Sequence, residues 1–238
     1  MRLGAVVAAL VAISSALSGA SGAKAADMTP LLKAPGPSYI PAQFNWTGYY
    51  LGVSAGWGTG TAHFTDLLPT AAGATSSARL SGFLVGGVTG INYQIGSIVV
   101  GVEGDFIGSW AKGSVINSAG DTMTNEVMWT STVGARLGWA WDRWLIYAKG
   151  GGAFDQDRTT VASGGGSDIG GTYRSGWNVG GGAEWAFTEH WIIRFAYDYM
   201  KFPSKLVTLS GNIPGNAAAG AGVGVTLNEF KAVLEYKF

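Results

Sequence analysis

Nine charged residues sit in runs where large apolar side chains alternate with small or polar ones: Glu103, Asp105, Arg136, Lys149, Glu184, Arg194, Asp198, Lys231 and Glu235. Four bases among five acids can do one of two things. They can line a water path, or they can neutralise one another in a dry interior, where an unpaired charge is costly. Which applies depends on the opposite face, because successive side chains of an extended strand point to opposite sides. Trp191, Ile193, Phe195, Tyr197 and Tyr199 share one face, and Ile192, Arg194, Ala196, Asp198 and Met200 share the other. In the last run Phe230, Ala232, Leu234, Tyr236 and Phe238 alternate with Glu229, Lys231, Val233, Glu235 and Lys237. The same parity separates Glu103, Asp105, Arg136, Lys149 and Glu184 from Val102, Phe106, Val133, Leu137, Ile146, Val179 and Trp185.

Other candidate chemistry is weaker. The glycine runs 150–152 and 180–182 resemble phosphate-cradling loops, but neither opens a helix, as that mechanism requires. They read instead as small residues that let strands bend and pack closely. His63 and His190 fall in connectors far apart in the chain, and a hydrolase needs its base within hydrogen-bond reach of the nucleophile. An enzyme acting on lipid A would have only His63 as an externally placed base, and the chain is not read as an enzyme. Asp155, Asp157 and Asp168 share one connector but lack the dense spacing of a calcium loop, so they read as solvated acids. Asn45-Trp46-Thr47 matches a glycosylation acceptor in letters alone, with Trp46 read as an interface anchor. No catalytic residue, metal ligand or cofactor is assigned.

The elements that must position the nine charges are strands. Only 13% of residues are charged, against roughly a quarter in ordinary soluble domains, while 39 glycines and 12% aromatics are present. No stretch after residue 25 is long and apolar enough for a membrane helix. Alternation instead predicts strands over 47–57, 82–93, 98–110, 127–139, 144–154, 173–187, 191–202 and 226–238. The connectors around 94–97, 140–143 and 188–190 are short, whereas those at 58–81, 111–126, 155–172 and 203–225 are long and rich in Gly, Ser, Ala, Thr and Asn. Strict alternation of short and long connectors is a property of barrels with periplasmic turns and external loops. The expected fold is therefore all-β, an eight-stranded antiparallel transmembrane barrel in the cell outer membrane. Its lipid face is the apolar one, since Lys or Arg near the midplane there costs about 2–4 kcal/mol. Trp46, Tyr49, Trp57, Tyr93, Trp110, Trp129, Trp139, Trp141, Trp144, Trp185 and Trp191 fall near strand ends, as two interfacial girdles would require.

Arg2, the apolar run 3–20 and Ala23-Lys24-Ala25 have the layout of a signal peptide over 1–25. Residues 26–45, with Pro30, Pro35, Pro37 and Pro41, read as an extended periplasmic lead-in, and 46–238 as the barrel. Arg2 and Lys24 would leave with the leader, so 15 basic and 15 acidic residues become 13 and 15. Nothing in that balance calls for nucleic acid. Cysteine is absent, which excludes a disulfide framework.

The stretch Phe44-Asn45-Trp46-Thr47-Gly48-Tyr49-Tyr50-Leu51-Gly52, with Leu32-Lys33-Ala34-Pro35 before it and Gly56-Trp57-Gly58 after it, resembles the mature N-terminus of the alphaproteobacterial outer-membrane immunogenic protein family, also known as opacity-type or porin-family barrels. Gly86-Gly87-Val88, Gly90-Ile91-Asn92-Tyr93-Gln94, Val102-Glu103-Gly104-Asp105 and Glu235-Tyr236-Lys237-Phe238 are similar to that family's second, third and closing strands. The resemblance implies an abundant surface-exposed eight-stranded barrel that supports envelope integrity and in some members meets host molecules. It brings no catalytic residues. Phe230, Leu234, Tyr236 and Phe238 resemble the C-terminal signal read by the barrel-assembly machinery.

Eight strands leave an interior that side chains can fill. A register for the last hairpin that places Arg194 opposite Glu235 and Asp198 opposite Lys231 pairs two sets of opposite charges, and Glu184 extends the chain to Arg194. The expectation is a neutral salt-bridge network that fills the lumen of a surface protein supporting the envelope. The alternative is a narrow porin-like channel for small solutes. Expected partners are outer-membrane lipids and lipopolysaccharide, the assembly machinery, and a host or extracellular ligand at the loops.

Overall fold

The computed structural model describes residues 43–66, 75–116, 120–163, 166–208 and 220–238; the expected signal peptide and most of the lead-in fall outside them. Eight strands follow: β1 (Gly48–Asp66), β2 (Thr75–Ile95), β3 (Ile98–Ile116), β4 (Thr122–Trp141), β5 (Trp144–Ser163), β6 (Gly166–Ala186), β7 (Trp191–Thr208) and β8 (Gly220–Lys237). Each pairs antiparallel with its sequence neighbours, and β8 pairs with β1 to close a barrel.

The strand count, order and lipid-facing parity agree with the sequence reading, but the strand lengths do not. Stretches read as long loops are largely strand, and the connectors at that end shrink to 67–74, 117–121, 164–165 and 209–219. The reason is visible in β1. Up to Trp57 the outward residues are Tyr49, Leu51, Val53, Ala55 and Trp57; beyond it they are Thr59, Thr61, His63 and Thr65, while Ala62 and Phe64 are buried inside. Alternation continues with its polarity reversed, so composition there looks like a loop while the backbone stays paired.

Two hairpin turns of two residues each begin with a left-handed residue, Gly96 (φ 61°) and Asp142 (φ 52°). Asp tolerates that region better than most side chains because its carboxylate can bond locally. In β4 a bulge between Val127 and Trp129 shifts the register with both neighbours. One inserted residue flips parity, so Thr130, Thr132 and Arg136 face inward below it and Met123, Asn125 and Val127 face inward above it.

The barrel wall is paired unevenly. β6 and β7 pair from Ala186↔Ile192 to Trp177↔Lys201 and no further among the described residues, although both strands continue. Just beyond, the β7–β8 register shifts between Phe202 and Lys205, and the Lys205 Nζ donates to the Tyr173 carbonyl across the gap at 2.7 Å.

Candidate functional site in the barrel lumen

The interior is layered. At the short-turn end Phe44 and Trp46 turn into the mouth, ring centroids 4.8 Å apart and edge to face, and pack with Val99, Ala140, Leu145, Ala186 and Ile192. Trp46 is 1% exposed, so it is a plug and not the interface anchor expected from sequence. The lead-in is likewise packed from Phe44 onward, with the Trp46 amide donating to Gln94 Oε1 at 2.8 Å.

Above this cap all nine of the singled-out charges point inward and are buried. Arg194 lies at their centre: its Nη1 is 2.6 Å from Glu103 Oε2, and its Nε is 2.8 Å from Glu184 Oε1 and 2.6 Å from Glu235 Oε1. Arg136 donates to Glu103 Oε2 and Glu184 Oε1 and lies 4.0 Å from the Tyr147 ring centroid. The Lys149 Nζ reaches Glu103, Asp105 and Asp198 at 3.0, 2.6 and 3.1 Å. The Lys231 Nζ reaches Asp198 at 2.9 Å and Glu229 at 3.2 Å. The Tyr50 hydroxyl donates to Glu103 Oε2 at 2.7 Å and accepts from Arg136, while Thr130 and Thr132 donate to Glu229 and Asp105.

Two corrections follow. The β7–β8 register sets Arg194 opposite Val233 and Asp198 opposite Glu229, two residues away from the register read from the sequence. A shift of two keeps every side chain on its face. Long side chains also reach diagonal neighbours, so Arg194 still meets Glu235 and Asp198 still meets Lys231. The network is also not formally neutral: the nine residues already set five carboxylates against four bases, and Glu229 joins them as a sixth.

Glycine makes room for these long side chains. Gly90 and Gly134 flank Glu103 across the strands, and Gly180 lies between Lys149 and Asp198. A Cβ at Gly180 would sit 2.3 Å from Asp198 Oδ1, and one at Gly90 2.3 Å from the Tyr50 hydroxyl. The runs that imitate phosphate loops are therefore strand interiors.

Toward the long-loop end lies a second polar group. Arg174 Nη2 is 2.7 Å from Asp155 Oδ2 and 3.0 Å from Asp157 Oδ2, and Asn125 donates to Asp157 and Thr159. Asp155, Asp157 and Asp168 are thus buried in strands, not solvated loop acids, and Arg174 was missed although it shares the parity of Glu184. Around them pack Ala62, Phe64, Leu80, Met123, Val127, Val161, Met200, Phe202, Val223, Val225 and Leu227. His63, expected in a loop, lies on the outer face of β1 with Nδ1 3.0 Å from Ser77 Oγ. His190 stacks on Tyr236 in the β6–β7 turn, with ring centroids 5.4 Å apart. Among the described residues no group of three or more His, Asp or Glu is arranged to hold a metal ion.

Outside, the remaining girdle residues are exposed in two bands, the upper of which Phe83, Trp177 and Phe230 join. Tyr49, Tyr93, Trp139, Trp141, Trp144, Trp185 and Trp191 ring the short-turn end, and Trp57, Phe83, Trp110, Trp177 and Phe230 lie higher. Trp129 joins the upper band through contacts with Phe106 and Tyr173.

Comparison with known proteins agrees with this architecture. The family model described as outer membrane protein beta-barrel domain matches residues 9–238. The chain is 30% identical over 195 residues to the 31 kDa outer-membrane immunogenic protein of Brucella melitensis biotype 1, covering 76% of this chain and 81% of that one. It is 32% identical over 161 residues to the 22 kDa outer membrane protein of Rhizobium leguminosarum bv. viciae, covering 68% and 66%. Among solved structures, the outer membrane protein OprG of Pseudomonas aeruginosa superposes with a TM-score of 0.50 at 13% identity, covering 82% of this chain and 98% of that one. That likeness is one of fold alone.

Proposed function

The chain belongs to the outer membrane protein beta-barrel domain family and resides in the outer membrane, and from that premise we propose that it is a sealed surface barrel that supports envelope integrity. The observation that carries the proposal is the filling of the lumen in successive layers: an apolar cap, a buried charge network and an apolar cluster around Arg174. A conducting path needs water beside the charges. Here Glu184, Arg194, Glu229 and Glu235 are each 1% exposed. The excess of two carboxylates favours the alternative, a narrow porin-like channel for small solutes, but each acid has a base or hydroxyl within reach. Single-channel recording of the refolded barrel tests the proposal: no stable open level is expected, and a reproducible one would sink it. Support of the envelope predicts that a deletion strain loses bile-salt resistance, and wild-type survival would count against that role.

Assembly and surface contact belong to the same proposal. Phe230, Leu234 and Phe238 are exposed on the outer face of β8, and the Phe238 ring contacts Tyr49 and Tyr236. This is the aromatic C-terminal edge the assembly machinery would read. The Thr- and Ser-rich outer wall beyond Trp57 is the surface offered to an extracellular ligand, and it names none by its chemistry.

A further inference from the structure

The outer face of β8, β1 and β2 changes character row by row. At the lipid level Phe195, Ala232 and Ala55 are cross-strand neighbours, and the two alanines floor a trough of about 550 Å³ walled by Trp57, Phe83, Phe195 and Phe230. One row higher Phe230, Trp57 and Phe83 stand side by side, all exposed. The next row is Asn228, Thr59 and Ser81, and the one after brings Thr61 opposite Arg79. These upper two rows form a second groove of about 390 Å³, lined by Thr59, Thr61, Arg79, Ser81 and Asn228. Apolar trough, aromatic ledge and polar groove are stacked along the same strands.

The lining of the polar groove is rich in groups that can donate to an anion. It offers a guanidinium, three hydroxyls and an amide, and no carboxylate. The Tyr197 hydroxyl donates to Asn228 Oδ1 at 2.7 Å, which leaves the Asn228 amide nitrogen turned away from Tyr197 as a donor. Arg79 is exposed and has no ion-pair partner among the described residues, and Lys112 on β3 pairs with its neighbour Ser81. Guanidinium forks match phosphate geometry, and hydroxyls around a groove larger than one phosphate suit a sugar.

We propose that this face holds one phosphorylated glycolipid of the surrounding leaflet, with an acyl chain in the Ala55–Ala232 trough and a headgroup phosphate at Arg79. The proposal rests on the outer-membrane reading only for which leaflet the groove meets. Its test reads the outer wall, whereas conductance reads the lumen, so the two fail separately.

The full chain, solubilised in detergent, is titrated with bisphosphorylated lipid A, its dephosphorylated form or phosphatidylglycerol, and bound lipid is counted by native mass spectrometry. One lipid A per chain is expected at roughly tenfold lower concentration than either competitor, the scale of one charge-assisted contact. Arg79→Glu removes that preference, and Ala55→Trp, which fills the trough, weakens binding by a similar factor. Arg158→Glu changes a cation that lies on β5, opposite Glu126 and away from the groove, and leaves binding unchanged. Heat-dependent mobility on gels verifies that each variant is folded. Equal loss in Arg79→Glu and Arg158→Glu would reduce the effect to diffuse charge and overturn the site. Undiminished binding by Arg79→Glu would do the same, and equal binding of phosphatidylglycerol would overturn the glycolipid assignment.

Discussion

Arg194 is held by carboxylates from three different strands, Glu103 of β3, Glu184 of β6 and Glu235 of β8. Removing one partner from a buried ion group leaves the others charged and unsolvated, which costs about 3–5 kcal/mol. Arg194→Met is therefore expected to lower the unfolding free energy in a bilayer by that amount, measured by urea titration. Arg143 pairs with Glu189 at the surface, with side chains 37% and 66% exposed. Arg143→Met should cost under about 1 kcal/mol. Comparable losses in the two variants would show that the lumen is wet. At this scale the sequence was informative about face and not about partner. Parity placed all nine charges inward and two pairs correctly, because a diagonal contact survives a register error of two. Glu229 was visible on the inward face but had no assigned partner, since Lys231 lies two residues away on the same strand. Arg174 lay in the strand read over 173–187 but had no visible partner, because Asp155 and Asp157 fell in 155–172, which was taken for a connector.

At the scale of the elements, the seam between β6 and β7 is where the wall is weakest. Beyond Trp177↔Lys201 the two strands pair with β5 and β8 but not with each other, among the described residues. Pro203 has no amide hydrogen to donate, and a Lys reaching across, as Lys205 does, is a common way to protect a free strand edge. Backbone groups without a ladder partner open at low free energy. Deuterium exchange in 170–176 should run roughly tenfold faster than in 178–186 of the same strand. Equal protection would mean that the ladder continues past Trp177. None of this was legible from composition. Residues 166–172 are dominated by glycine and small polar types, and nothing in them distinguishes an unpaired strand edge from a connector. The membrane-level segments were legible because aromatic and β-branched side chains alternate there with charges, a contrast only a strand with lipid on one side requires.

Taken whole, the barrel is two proteins of opposite construction sharing eight strands. Up to the level of Trp57 the outer wall is apolar and the interior charged; beyond it the outer wall is mostly polar, rich in Thr, Ser, Lys and Arg, and the interior packs Phe64, Leu80, Met123, Phe202 and Val225 around the Arg174–Asp155–Asp157 group. Nine residues of β1 continue past Trp57, which at ~3.3 Å each and a tilt of ~40° carries the wall roughly 20–25 Å beyond the upper aromatic band. The same substitution should therefore have opposite consequences along a single strand. Val53 lies midway between the Tyr49 and Trp57 bands and is 67% exposed. Val53→Lys is expected to cost about 2–4 kcal/mol in a bilayer, because it places an ammonium in hydrocarbon. Thr61→Lys, on the same face eight residues along, should change stability by less than about 0.5 kcal/mol. Phe64→Lys, only three residues further but pointing inward, buries a cation among apolar side chains and should again be severe. Urea titration of the three variants in the same vesicles ranks them directly. If Thr61→Lys costs as much as Val53→Lys, the membrane boundary is not at Trp57, and the polar wall above it must be explained by something other than water.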